Sequence, residues 1–149
     1  MKKLLFLIPI LFFGQVLFAQ KPIDSKGRVI DTSGNVYLGG TKLGSITRDS
    51  IIKNVQGKKI AFVKQGGVVV DAKGKTLGRM SKDGTTYYNA DGQVVLSVQD
   101  NADNETCNIL DANGKIIGNV HRSFKPMVCA VHCLDNKMNH ITHRKKKYE

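Results

Sequence analysis

The sequence predicts an all-β fold: five β-hairpin repeats, closed into a pseudo-fivefold ring, after a signal peptide and before a basic C-terminal tail. Three observations predict it. Five times an apolar segment leads into Asp or Asn, two variable residues and Gly: Asp31 to Gly34, Asn54 to Gly57, Asp71 to Gly74, Asn89 to Gly92 and Asp111 to Gly114. Their glycines lie 23, 17, 18 and 22 residues apart, the spacing of a structural repeat. No stretch from 25 to 120 sustains the 3.6-residue apolar period of a helix.

Residues 1–19 come first. Lys2 and Lys3 precede the apolar run Leu4 to Phe13, and Ala19 ends the segment just before Gln20 and Lys21. That is the order of charge, apolar core and small residue in a secretory signal peptide. Cleavage is expected after Ala19, with Leu17 bulkier than usual at the third position before the cut. Retention as an anchor is disfavoured, because the run is about half the ~20 residues of a spanning helix. The protein is therefore expected outside the cytoplasm: in the periplasm, associated with the outer membrane, or extracellular.

Residues 20–134 form the repeat domain. Asp or Asn at the first position and Gly at the fourth suit a type I turn, in which the side chain accepts from nearby backbone and Gly takes a positive φ. Such a turn with a glycine bulge makes a hairpin. Across each hairpin the residue five before Gly should face the residue three after it. The pairs are Ile52 with Ile60, Val69 with Leu77, Tyr87 with Val95 and Ile109 with Ile117. The sixth positions, Val63, Met80, Val98 and Val120, are also apolar but of opposite parity, so each strand must bend between them. The first unit fits with six extra residues, an insertion that contains Gly39 and Gly40. Turns at Lys64 to Gly67 and Ser81 to Gly84 join one hairpin to the next, for about ten short strands. Ring closure is favoured over a stack because it removes unpaired edges.

The segments Gly66-Gly67-Val68-Val69-Val70-Asp71-x-x-Gly74-x-x-Leu77-Gly78 and Lys82-Asp83-Gly84-Thr85, behind a signal peptide, resemble the five-fold β-flower proteins of Bacteroidetes. The resemblance covers about residues 25–134, including the apolar strip Met127 to Val131. It implies a pseudo-fivefold β-ring in the cell envelope with no established biochemical activity. The chain departs from the pattern at Val94 to Val98, which lacks the Leu-Gly pair, and in the Cys and His residues near its C-terminus.

That C-terminal stretch is where chemistry would sit. Cys129, Cys133, His140 and His143 offer the ligand types of a tetrahedral zinc site. The blander reading makes Cys129 a core residue and places His140 and His143 in a solvated tail. No cofactor is expected, with zinc the alternative. Of three cysteines in an exported chain at least one stays unpaired, and a bridge from Cys107 to Cys129 or Cys133 is the preferred pairing. A reactive Cys133 beside His132 is disfavoured because neighbours on a strand point apart. The oxygen-rich segment Asp100 to Glu105 lacks the residue order of a calcium loop. Tyr37 and Tyr88 are the candidates for a carbohydrate- or peptide-binding surface.

The 149 residues, 41% hydrophobic and 23% charged, amount to one domain and exclude wholesale disorder. After cleavage the chain carries 21 basic and 12 acidic residues, a net +9, of which residues 121–149 hold +5. Residues 135–149 are expected to be a basic tail, with its order left open by the sequence. Its partners would be an anionic envelope surface, a glycan or a protein; exposed aromatics are too few for nucleic acid. The expected function is a non-enzymatic exported module for binding or structure. The alternative is a metal- or thiol-dependent factor acting through the Cys and His cluster. A glycan hydrolase is disfavoured, since the recurring Asp31, Asp71 and Asp111 are explained by their turns.

Overall fold

The computed structural model describes residues 27–136. The expected signal peptide, the expected cut after Ala19, His140, His143 and residues 137–149 lie outside the described residues. Eleven strands follow one another: β1 (Arg28–Ile30), β2 (Asn35–Leu38), β3 (Thr41–Ile46), β4 (Ile51–Asn54), β5 (Lys59–Val63) and β6 (Val68–Asp71). Then come β7 (Thr76–Met80), β8 (Thr86–Asn89), β9 (Val94–Asp100), β10 (Thr106–Asp111) and β11 (Ile116–His121). Each pairs antiparallel with the next, and β1 closes on β11 through a parallel seam, Arg28 beside Gly118 and Ile30 beside Val120. The fold is all-β, a closed barrel with little helix.

The turns form as their residues dictate. Gly57 N–H donates to the Asn54 carbonyl at 2.9 Å, and Gly74 N–H to the Asp71 carbonyl at 3.0 Å. The Asp71 carboxylate accepts from the backbone of Lys73 and Lys75. The turn glycines sit at positive φ, where a side chain would be strained.

Because consecutive strands alternate in direction, their connections alternate between the two ends of the barrel. Asp31 to Gly34 joins β1 to β2 and lies at the opposite end from the four turns with which its pattern groups it. The pattern marks a type I turn but not the end it occupies. The fifth turn on the end of Asn54 to Gly57 is Gly39-Gly40, between β2 and β3. Counted from Gly40, Leu43, Gly44 and Ile46 fall at the third, fourth and sixth positions, and the apparent six-residue insertion disappears.

Register departs from expectation by one residue. Ile52 faces Ala61, Val69 faces Gly78, Tyr87 faces Leu96 and Ile109 faces Gly118. In each hairpin the third residue after the turn Gly is the extra residue of a β-bulge: Ile60, Leu77, Val95 and Ile117, with Leu43 in the β2 to β3 hairpin. The bulge is the required bend: the fourth and sixth positions share a face by the pleat, and the bulge lets the third pack on the same core. Gly44, Gly78 and Gly118 follow the bulge where a Cβ would meet the carbonyl oxygen of Lys53, Tyr88 and Arg28 on the neighbouring strand.

After β11 a 3₁₀ helix, Arg122–Met127, crosses one end of the barrel, and α1 runs from 129 to the last described residue, 136. Val128, Cys129, Ala130 and Val131 are at most 1% exposed. Successive helical residues point about 100° apart, so burial of a consecutive run means enclosure. The contacts agree: Asp135 reaches Arg28 on β1, Leu134 lies beside Gly44 on β3, and His132 lies 5.5 Å from the Tyr87 ring on β8. α1 fills the barrel and shares one core with Val36, Ile52, Val69, Tyr87, Leu96, Ile109 and Val120. It continues past the expected boundary at 134, so Asp135 and Asn136 belong to the packed helix.

Candidate functional site

The two ends of the barrel differ. The capped end, under the 3₁₀ helix, carries the turns at 31–34, 47–50, 64–67, 81–84 and 101–104. Phe124 lies over Gly34 and Pro126 beside Gly84, while Arg122 bonds to Asn104 and Lys125 to Asp100 at 2.8 Å. A recess of about 840 Å³ opens between the cap and the turns at 47–50, 64–67 and 81–84, with Met80, Phe124 and Met127 among its apolar lining and Arg48 and Lys82 among its charged residues. Asp83 lines it too, but its carboxylate is engaged by Ser81 and Thr85, which hold it down at about 2.

The opposite end is where the described chain enters at β1 and leaves at residue 136. Its turns are at 39–40, 54–57, 71–74, 89–92 and 111–114. A smaller recess of about 380 Å³ opens there beside α1, lined by Ile60, Leu77, Tyr87, His132, Cys133 and Asn136 with Asp71 and Ala61. Cys129 and Cys133 stand one helical turn apart, because the segment is helix and not strand. Cys129 is sealed in the core and Cys133 borders the recess. Burial pushes the Cys133 thiol up to about 12 and Cys129 well above its ordinary value, aided there by the neighbouring Cys133. Burial also lowers His132, against the opposing pull of Asp135, and its Nε2 is 2.8 Å from the Asn136 amide nitrogen. A neutral thiol beside a neutral imidazole is a poor nucleophile.

Cys107 stands apart from that pair. Its thiol donates to Asp100 at 3.2 Å, and burial, with that carboxylate adjacent, raises it to about 11. All three cysteines are free, which overturns the expected bridge: the Cys107 side chain is turned to its cross-strand neighbour on β9. The oxygen atoms of Asp100 to Glu105 serve the local structure, Asp103 accepting from the Glu105 and Thr106 backbone and Asp100 from Lys125. Tyr37 lies on β2 between Val29 and Lys42, and Tyr88 on β8 lies under the Arg79 guanidinium at 4.8 Å. Five strands separate β2 from β8 in one direction and four in the other, so the two tyrosines do not share a surface.

Charge separates the ends more sharply than shape does. The half of the barrel toward the terminal end carries Arg28, Lys42, Lys53, Lys58, Lys59, Lys73, Lys75 and Lys115 against Asp71, Asp91, Asp111 and Asp135, a net +4. The capped half carries Arg48, Lys64, Arg79, Lys82, Arg122 and Lys125 against Asp31, Asp49, Asp83, Asp100, Asp103 and Glu105, a net of zero. Among the described residues the large apolar side chains that are exposed, Val55, Val94 and Ile116, all lie on the terminal rim. Sequence reasoning missed this rim. Its signal was the lysine directly after the turn glycine in Gly57-Lys58, Gly74-Lys75 and Gly114-Lys115, which becomes a cluster only once those turns share an end.

Fold and rim together define a class: a closed β-barrel plugged by its own C-terminal helix, with one cationic and one neutral end. Comparisons with protein-family models, curated proteins and solved structures find no match to this chain.

Proposed function

We propose that this chain is an exported, non-enzymatic module of the cell envelope, built as in the five-fold β-flower proteins from five two-strand units in a ring. The observation that carries the reading is the filled lumen. Barrels that hold a ligand inside keep an internal cavity, whereas here Val128 and the α1 residues Cys129, Ala130 and Val131 occupy that space. What remains for recognition is the outside, above all the two ends. Support for the five-unit arrangement comes from the bulge recurring at Leu43, Ile60, Leu77, Val95 and Ile117. The second reading, a thiol- or zinc-dependent factor, draws on the recess beside Cys133; the raised thiol counts against it.

Cell fractionation of the native host followed by intact mass measurement without chelator tests the proposal. The expected result is an envelope-fraction protein beginning at Gln20 with no added metal mass. Recovery from the cytosol with residues 1–19 attached overturns it, and about 65 Da removed by chelator moves the assignment to the Cys and His cluster.

A further inference from the structure

We infer that the terminal end of the barrel docks on an anionic phospholipid surface. Four turn-tip lysines, Lys58, Lys73, Lys75 and Lys115, project from three turns of one rim and have no ion pair among the described residues. On the same rim Val55 is 56% exposed, Val94 43% and Ile116 56%. Lysine brings a protein to a negative leaflet, and aliphatic side chains beside it gain by entering the headgroup boundary.

The described chain both begins and ends at this end of the barrel. In the sequence, residues 20–26 add Lys21 and Lys26 against Asp24, and residues 137–149 add Lys137, Arg144, Lys145, Lys146 and Lys147 against Glu149. Both stretches join the barrel at this end. Among the described residues the terminal half carries +4 and the capped half none, and in the sequence the two flanking stretches add a further +5. A molecule so polarised turns one end toward a negative surface before contact. Val55, Val94 and Ile116 have no ring on which a base would stack, which favours lipid over nucleic acid.

The inference rests on the envelope reading for the presence of a membrane, but its test is separate from export. Purified cleaved full chain is mixed with vesicles of phosphatidylcholine alone, or of phosphatidylcholine with phosphatidylglycerol, and sedimented. Binding is expected on the anionic vesicles only and should be lost in about 1 M NaCl. Lys73→Gln with Lys75→Gln, both exposed, should weaken it about fivefold per lysine. Val55→Ser with Ile116→Ser should weaken it further, whereas Arg48→Gln with Lys82→Gln at the capped end should leave it unchanged. Neutralising Arg144, Lys145, Lys146 and Lys147 with Gln should reduce affinity yet leave the preference for anionic vesicles. Equal binding to both vesicles, no binding, equal losses from capped-end variants, loss of all preference in the tail variant, or tighter binding to a single-stranded oligonucleotide would each overturn the inference. A chain found in the cytosol that still binds anionic vesicles would sink the export reading and leave this one standing.

Discussion

Gly118 faces Arg28 across the parallel seam, and a Cβ on it would meet the Arg28 carbonyl oxygen, so this glycine is required by a close approach and not by its φ. Gly118→Ala should cost roughly 2–3 kcal/mol, as overpacking does. Gly74→Ala, at a positive φ with open space around it, should cost about 1 kcal/mol. Equal shifts in the urea midpoint for the two variants would show that the close approach at the seam costs no more than a side chain at a turn glycine. The thiols allow a second prediction. In the folded chain burial holds Cys107 and Cys133 protonated up to about 11 and about 12, whereas freed of it they ionise near 9.0. A group with a raised folded pKa stabilises fully below its unfolded value and loses that contribution as pH climbs through the folded one. Stability should therefore fall between pH 9 and 12, and less steeply in Cys133→Ala; identical slopes in the two chains would refute the assignment. At this scale the sequence was legible in its turns, since Asp, Asn and Gly act through local bonds. The register was not, because a bulge adds one residue without leaving a turn signature, and Ile60, Leu77, Val95 and Ile117 pack on the core alongside the residues that follow them.

α1 was the element hidden from sequence reasoning, for a physical reason. A helix enclosed on every side has no polar face and so no period, and eight apolar-rich residues read equally well as a buried strand. Met127 to Leu134 carried the burial signal without the geometry, and the geometry reverses the local chemistry by putting Cys129 and Cys133 on one helical face. Ala130 has no exposed surface and packs inside the barrel wall. Ala130→Leu should therefore destabilise by about 1–3 kcal/mol, measured by denaturant titration. A neutral result would mean the lumen has spare room around the helix. The same element shows why the terminal rim went unseen. The lysines after Gly57, Gly74 and Gly114 are plain in the sequence, but their gathering depends on which end each turn occupies. The misplaced turn at Asp31 blurred that.

At the scale of the whole molecule, β1, β11 and α1 depend on one another. The Arg28 guanidinium meets Asp135 at 2.6 Å, joining the first strand to the last described turn of helix across 107 positions of chain. The seam has only three residue pairs, so it draws its stability from the filled lumen behind it. Native-state hydrogen exchange should give the amides of Val29 and Val131 the same opening free energy, that of global unfolding. A distinctly lower value for Val29 would mean the seam opens while the plug stays in place. The order of synthesis adds a final consequence. The residues that close the wall and fill its centre are made after every strand but the seam partner has emerged, so a partly delivered chain has no means of completing its core. Contacts so distant along the chain also slow folding. A polypeptide built this way gains its barrel in one late step, when β11 and α1 are both in hand, and not strand by strand.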